Sequence, residues 1–479
     1  MKVLFLAAEA APLVKVGGLG DVAGELPRAL TELGIDVRLA IPRYPQLADQ
    51  VRGRAPRAVV DVPRPSGPLK AEVHEATMRG VRTWLIGGDP IDRVPSVYGG
   101  EAADASKFIF FVVGALQACR ATGWQPDVVH ANDWHTAPAL AWMRTVGDGW
   151  ESTGAVLTIH NLAYMGAGGS DALREYGLPP ADHSMLPDWA RLLPLPLGMA
   201  HADAITAVSP GYAAEIQTPA FGCGLESFLA SRPDVLRGIL NGIDPDVWDP
   251  SHDPWLVAAF DRRSIASRAS NKADLQCAVG LPVEPRTPLL AMITRLEMQK
   301  GVDLAMGALG QLAGRCWQLV LLGTGDPALE DRASAFAARE PQRVRFLPTF
   351  DAELARRIYA GTDMILVPSR YEPCGLVQMI GMRYGAVPIV RATGGLKDTV
   401  VAYGREGPGT GFLFGPAEPQ ALAEAVHQAL DVYQDPRAWR GLQQRGMAQD
   451  FSWGRSARAY ADLYGEIAAG RISSRGGDQ

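Results

Sequence analysis

The chain has 479 residues, 47% of them apolar and 20% charged, with a formal net charge of −6 and a pI near 5.8. That composition excludes extensive disorder, and an acidic balance with no basic stripe excludes an electrostatic surface for nucleic acid. At about 150 residues per domain the length implies roughly three domains or two large α/β ones, and two are expected.

The N-terminus, MKVLFLAAEAAPLVKVGG, resembles a signal peptide only until Glu9 interrupts the apolar run, so it reads as a buried first strand. The longest uncharged apolar stretch, 108–119, falls short of the ~20 residues of a membrane span, and no membrane association is expected. Cys119, Cys223, Cys277, Cys316 and Cys374 are scattered and form no CxxC pair, which fits reduced thiols in a cytoplasmic protein.

Along the chain, residues 2–8 predict a strand, 20–33 an amphipathic helix and 37–41 a second strand, a βαβ opening. The connection Lys15-Val16-Gly17-Gly18-Leu19-Gly20-Asp21 places glycines where backbone must turn tightly or lie close to a ligand, although it is neither GxGxxG nor a P-loop. Residues 42–95, rich in Pro and Gly with short alternating runs at 71–75 and 81–86, predict a local antiparallel excursion. No function is legible in 42–105. A buried helix at 108–119 precedes strands at 127–130 and 156–159. These end in the polar loops Ala131-Asn132-Asp133-Trp134-His135 and His160-Asn161-Leu162-Ala163-Tyr164, at what should be one edge of a parallel sheet, where ligands collect. A strand at 204–208 leads into Ser209-Pro210, a helix start. After Asn241-Gly242 the composition shifts to Pro, Asp and Trp, which places a domain boundary near 245–255.

The second half restarts the α/β rhythm with strands at 289–294, 318–322 and 344–347 and helices at 302–312 and 351–360. Its densest stretch is 363–398, a βαβ unit whose polar elbow, residues 369–375, joins strand to helix, where unpaired N–H groups and a partial positive charge attract anions. Residues 420–469 read as helical and 471–479 as a frayed tail.

Each candidate has a bland reading when taken alone. Arg295 and Lys300 follow a strand and could aim two cations at a phosphate, or be solvated surface charges. Glu372 could be a helix N-terminal acid that complements the dipole. His130, Asp133, His135 and His160 lack HExxH or any tight ligand cluster, so no metal is expected, and no GxSxG elbow supports a hydrolase triad.

The combination is more specific. KVGGLGD (15–21), HANDWH (130–135), TIHNLAYMG (158–166), NGID (241–244), TRLEMQKG (294–301) and SRYEPCGLVQM with TGGLKDTV span nearly the whole chain. Together they resemble bacterial glycogen synthase and plant starch synthase, retaining glucosyltransferases of GT-B architecture. Val16 departs from the Thr of many members, and the 296–300 loop varies among them. The resemblance implies two Rossmann-like, doubly wound parallel-sheet domains facing across a deep cleft: 1–245 for the glucan, 246–455 for the nucleotide-sugar, and 456–479 as a helix crossing back to the first domain with its tail.

It also implies transfer from ADP-glucose to the non-reducing 4-hydroxyl of an α-1,4-glucan such as glycogen, with release of ADP and neither metal nor cofactor. The catalytic residues it implies are Glu372, His160, Asp133, Arg295 and Lys300. The nucleotide-sugar would meet Lys15, Gly17, Gly18, Asn241, Arg295, Lys300, Phe350, Glu372, Cys374, Gly375 and Leu376. Among these, Phe350 would stack on adenine, Glu372 would hold glucose hydroxyls, and His160 would lie close to the reacting carbon. Rival readings are a sucrose synthase-like, trehalose-forming or UDP-glucose-dependent transferase of the same fold, a phosphorylase, or a non-catalytic glucan-binding protein. The KVGGLGD loop and the HNLAY segment argue against the other transferases, and a filled set of charged positions argues against the non-catalytic protein.

Overall fold

A computed structural model describes residues 1–94, 96–312, 314–404 and 407–470; the tail expected to fray, 471–479, lies outside them. The chain divides into two compact units, one comprising residues 1–242 and the chain from 453 onward, the other residues 243–452. The switch thus falls a few residues before 245, and the return falls at Trp453 rather than at 456.

The first unit holds a nine-stranded sheet: β1 (Lys2–Leu6), β2 (Asp36–Pro42), β3 (Ala58–Val62), β4 (Leu69–Met78), β5 (Val81–Gly87), β6 (Val128–Asn132), β7 (Gly154–Ile159), β8 (Ala204–Ala207) and β9 (Leu236–Gly238). Their order is β3-β4-β5-β2-β1-β6-β7-β8-β9, parallel except where β4 runs against β3 and β5, the antiparallel excursion that residues 42–95 predict. The central strands are covered on both faces, and for that reason read as unbroken apolar runs: Val3, Leu4, Phe5 and Leu6 are all fully buried.

Helix Gly18–Glu32 follows β1, and the terminal helix Trp453–Ala468 packs against it, burying Trp453, Tyr460, Leu463 and Tyr464 in the core of the first unit. That terminal helix also gives His130 its partner. Its Nδ1 lies 2.6 Å from the Tyr464 hydroxyl and its Nε2 2.6 Å from Thr158 Oγ1, so this histidine is a satisfied core group.

The second unit holds β10 (Leu289–Ile293), β11 (Gln318–Leu322), β12 (Val344–Leu347), β13 (Met364–Val367), β14 (Val387–Arg391) and β15 (Phe412–Phe414), all parallel, in the order β12-β11-β10-β13-β14-β15. Each sheet reverses its winding once, between β1 and β6 in the first and between β10 and β13 in the second. In doubly wound sheets that reversal opens a crevice at the carboxyl ends of the two strands. Among the described residues no helix is long and apolar enough to cross a membrane.

Candidate functional site

In the second unit the β10/β13 crevice is a cavity of about 80 Å³ lined by the strand ends Met292–Thr294 and Leu366–Ser369, with Lys300, Glu372, Gly375 and Leu376. Lys300 Nζ lies 2.9 and 2.8 Å from the two carboxylate oxygens of Glu372, and Ser369 Oγ donates to Oε2 at 2.8 Å. Lys300 and Glu372 therefore meet each other directly, a contact that their separate assignments to phosphate and glucose do not anticipate.

The pair is positioned by two loops laced together. Arg370 N donates to Gln299 O, Gln299 Nε2 to Tyr371 O, and the Arg370 guanidinium grips Asp303 with two parallel bonds of 2.8 Å. Bidentate pairing of this kind adds geometric definition as well as energy. Gly301 makes the close approach possible: its φ is +67°, and a Cβ there would lie 2.2 Å from Pro368 O.

Of the other residues expected here, Gly375 and Leu376 line the cavity and Cys374 is buried beside it, its carbonyl accepting from Gln378 Nε2. Two of the expected residues lie apart from the cavity lining. Arg295 does not line the cavity; its side chain is 60% exposed and pairs with Glu297 at 2.7 Å, a local partner two residues on. Phe350 is 88% exposed in the loop after the edge strand β12, so no protein ring or aliphatic surface covers it.

In the first unit the β1/β6 crevice is built around Glu9, Asn132, Asp133 and His160. Glu9 is 1% exposed and accepts from Val16 N, from Gly17 N at 3.1 and 3.2 Å, and from the Tyr98 hydroxyl at 3.1 Å. Burial holds its carboxyl above the usual range. The Gly17 amide, expected to approach a diphosphate, is thus engaged by a carboxylate of its own chain. Gly18 remains open, with nothing within 4 Å of where a Cβ would stand, and Lys15 pairs with Asp21 at 2.7 Å while keeping its side chain 45% exposed.

Asn132-Asp133 is not a loop as expected but the junction of β6 with a short helical turn, and Asp133 takes φ +55° there. Such a conformation costs a non-glycine residue about 1–3 kcal/mol and is tolerated best by Asn and Asp. It aims Asp133 Oδ1 at two successive amides, His160 N at 2.7 Å and Asn161 N at 3.3 Å. Burial nevertheless outweighs those bonds and pushes the Asp133 carboxyl up to about 7.

The same balance keeps His160 neutral, since burial lowers its imidazole to about 3. Its tautomer follows from Asn132, which is fully buried. The Asn132 Nδ2 donates to Leu6 O at 2.9 Å, so the Oδ1 must be the acceptor for His160 Nε2, also at 2.9 Å. The ring proton sits on Nε2, and Nδ1 is left as the accepting nitrogen.

Asn241, in the first unit, is 6% exposed with its Oδ1 buried and without a hydrogen-bond partner. His135 packs among Tyr98, Phe108 and Trp134, and among the described residues no group of three or more His, Cys, Asp or Glu could hold a metal ion.

Sequence reasoning assigned no role to Glu9, Tyr98, Asn132 or Ser369. Asn132 and Ser369 lie inside quoted motifs, but partners at i+28 and i+3 leave no periodic trace. Tyr98 comes from the illegible segment. The buried Lys107–Asp104 pair holds the loop that carries it: Asp104 accepts from Gly99 N and Gly100 N, and Lys107 donates to Ser96 O and Val97 O.

Residues 2–231 match the starch synthase catalytic domain family, and residues 287–432 match the glycosyl transferases group 1 family. A glycogen synthase of Anaeromyxobacter dehalogenans is 43% identical over 98% of this chain and all of its own length, and one from Aromatoleum aromaticum is 42% identical over 97% of this chain and 96% of its own. Among solved structures, the catalytic domain of starch synthase IV from Arabidopsis thaliana, bound to ADP and acarbose, superposes with a TM-score of 0.88 at 34% identity over 98% of this chain and 99% of that one. A sucrose-phosphate synthase from Thermosynechococcus elongatus, at 21% identity and a TM-score of 0.62 over 98% of this chain and 99% of that one, shares the fold. Near-complete coverage at this identity establishes that the chain belongs to the glycogen and starch synthase family of GT-B glycosyltransferases.

Proposed function

We infer that this protein transfers glucose from ADP-glucose to the non-reducing 4-hydroxyl of an α-1,4-glucan, retaining the anomeric configuration and releasing ADP. Family membership supports the reaction, and the observation that carries the assignment of residues is the Lys300–Glu372 pair at the β10/β13 crevice. Breaking the bond between the anomeric carbon and the diphosphate leaves negative charge on ADP and positive charge on the sugar, so preorganised groups of both signs stabilise the transition state.

Donor and acceptor counting shows how the pair can serve both ends. An ammonium has three N–H donors, and Glu372 engages two of those on Lys300, which leaves one for a phosphate oxygen. The Glu372 carboxylate offers about four acceptor sites, of which Lys300 and Ser369 occupy three, which leaves one for a glucose hydroxyl. A carboxylate so engaged is a poor nucleophile. We therefore assign no covalent intermediate, and the departing phosphate accepts the acceptor's proton on the same face of the sugar.

Arg295, exposed beside its partner Glu297, and the exposed ring of Phe350 are accessible to the diphosphate and the adenine, and Gly375 with Leu376 borders the donor. In the first unit, Lys15 and the open Gly18 suit a phosphate, while neutral His160, Asp133 and the unpartnered Asn241 Oδ1 suit sugar hydroxyls. The glucan belongs to that unit. The placed cations supply the charge that a divalent metal provides in other transferases, so we assign no metal or other cofactor, and we place the reaction in the cytoplasm.

Transfer of labelled glucose to glycogen by the purified protein tests this reading, with ADP-glucose and UDP-glucose compared and a chelator present. Turnover with ADP-glucose that survives the chelator is expected. Preference for UDP-glucose, or a glucosyl adduct trapped on Glu372, would overturn it.

A further inference from the structure

Gly375 and Leu376 border the β10/β13 crevice, and the side chain that fixes their backbone lies behind it. Helix Val377–Arg383 carries Gln378 in its first turn, where it is fully buried and does not line the cavity. Its Nε2 shares two N–H donors among Gly375 O at 2.8 Å, Thr399 Oγ1 at 3.1 Å and Cys374 O at 3.2 Å. Carbonyls only accept, so the nitrogen must face them, and Gln378 Oε1 is left buried with no donor. A buried acceptor without a donor destabilises the fold, so this side chain is oriented by the two carbonyls and not by its own full satisfaction.

In a planar trans peptide the C=O and the following N–H point in opposite directions. Drawing the Cys374 and Gly375 carbonyls toward Gln378 therefore turns the Gly375 and Leu376 amides the other way, to the side of the cavity that both residues line. Among the described residues neither amide has an acceptor. Gly375 makes the turn possible, since its φ is +75° and a Cβ there would stand 2.5 Å from Gln378 Oε1. Successive N–H groups around such a left-handed residue form a concavity suited to an anion. Thr399, 3% exposed, carries the clamp to the next loop: its hydroxyl donates to Gly395 O at 2.7 Å, and Gly395 N donates to Glu372 O at 3.1 Å. The elbow that holds Glu372 and the turn after β14 are thereby tied together, with room for no Cβ at Gly395, which would lie 2.2 Å from Cys374 O.

We propose that Gln378 is a positioning residue for the reaction: with Thr399 behind it, its side-chain amide holds the Cys374 and Gly375 carbonyls back and so aims the Gly375 and Leu376 amides at the diphosphate of the donor. This role rests on the placement of the donor in the β10/β13 crevice given above. Gln378 touches neither sugar nor nucleotide, and acts only through the backbone it orients.

Gln378→Met tests this, because it keeps the length of the side chain and removes its donors. The kcat/KM for ADP-glucose should fall roughly tenfold to a hundredfold, the scale of misplacing a binding group by about 1 Å. The KM for ADP-glucose and the calorimetric Kd for ADP should both rise, with the KM for glycogen unchanged. Partial loss of folded enzyme would instead lower kcat and leave both KM values where they were. Thr399→Val should shift the same two constants by less, and Thr399→Ser, which keeps the hydroxyl, should restore them; should Gln378→Met not fold, this second pair decides by the same comparison. The proposal fails if Gln378→Met keeps the parental KM for ADP-glucose and Kd for ADP, or if Thr399→Val and Thr399→Ser behave alike. A parent that neither binds ADP nor transfers glucose from ADP-glucose would overturn the placement of the donor itself. A parent that does both, weakened by Lys300→Ala and not by Gln378→Met, would overturn the role of Gln378 alone.

Discussion

The two units share a winding scheme, yet their crevices carry opposite electrostatics. At β1/β6 the buried titratable groups are held toward neutrality: Glu9 is raised, Asp133 stands at about 7 and His160 at about 3. At β10/β13 an ion pair, Lys300–Glu372, is built into the wall. Desolvation dominates in the first crevice because each charged group faces amides, hydroxyls and rings rather than an opposite charge. In the second, each charge is compensated by its neighbour, and the Ser369 hydroxyl adds one bond to Glu372. One scaffold thus makes a surface of neutral hydrogen-bonding groups suited to sugar hydroxyls and another suited to a substrate that separates charge as it reacts.

The comparison breaks most visibly at the pair. Glu372→Ala and Lys300→Ala should each lower kcat roughly 10²–10³-fold, the scale of removing one preorganised group from a charged transition state. Lys300→Ala should destabilise more, because the Glu372 side chain it strands is 9% exposed against 18% for Lys300. The double variant should lose less stability than the two losses combined. Retention of a tenth or more of wild-type turnover by either single variant would remove the pair from the centre of the reaction.

In the first crevice, Asp133→Asn probes the desolvated carboxyl. With a folded-state pKa of about 7 against 3.8 unfolded, Asp133 keeps its proton on folding, so wild-type stability falls as pH rises through that window. Asn has no such proton. The unfolding free energy of the variant relative to wild type, from urea melts, should therefore climb between pH 4 and pH 7 and then level off, by up to a few kcal/mol at about 1.4 kcal/mol per pKa unit. A gap that stays constant over that range would mean the carboxyl is not held protonated.

Asn132→Ala sharpens the tautomer assignment. Freed from its acceptor, the His160 ring should populate both neutral forms, visible in ¹⁵N ring shifts, and kcat should fall roughly tenfold, the effect of a ~1.4 kcal/mol interaction, with KM little changed. Ring shifts identical to wild type would assign the tautomer to some other contact. The smallest effect is expected from Tyr98→Phe, which removes one hydrogen bond to Glu9, costs about 1 kcal/mol of stability and raises the Glu9 pKa further. An unchanged Glu9 titration by NMR would show that the hydroxyl does not bear on it.

Acid stability offers a check on the first unit as a whole. His130, His135 and His160 are depressed to about 3 and His201 to about 4, in each case by burial, so each takes up a proton on unfolding below about pH 6.5. Stability should fall as pH drops from there toward 4, with a slope of up to four protons in a urea-melt series, partly offset by Asp133.

Much of this was open to reading from residue order alone. Parallel strands buried on both faces leave uninterrupted apolar runs, glycine-rich turns announce close backbone approaches, and the seven motifs, in their order along the chain, name the family. Lys300, Glu372, Gly375 and Leu376 could be placed near one another because each lies in or just after the loop at a strand's carboxyl end. What linear order could not carry were contacts between segments far apart in the chain. That Lys300 would meet Glu372, that Glu9 would take the Val16 and Gly17 amides, and that Asn132 would set the proton on His160 depend on which strands become neighbours at a reversal of winding. Burial is a property of the assembled fold too. The same Asp and His side chains that would be ordinary charges in an exposed loop become near-neutral groups only once the sheet and its covering helices exclude water from around them.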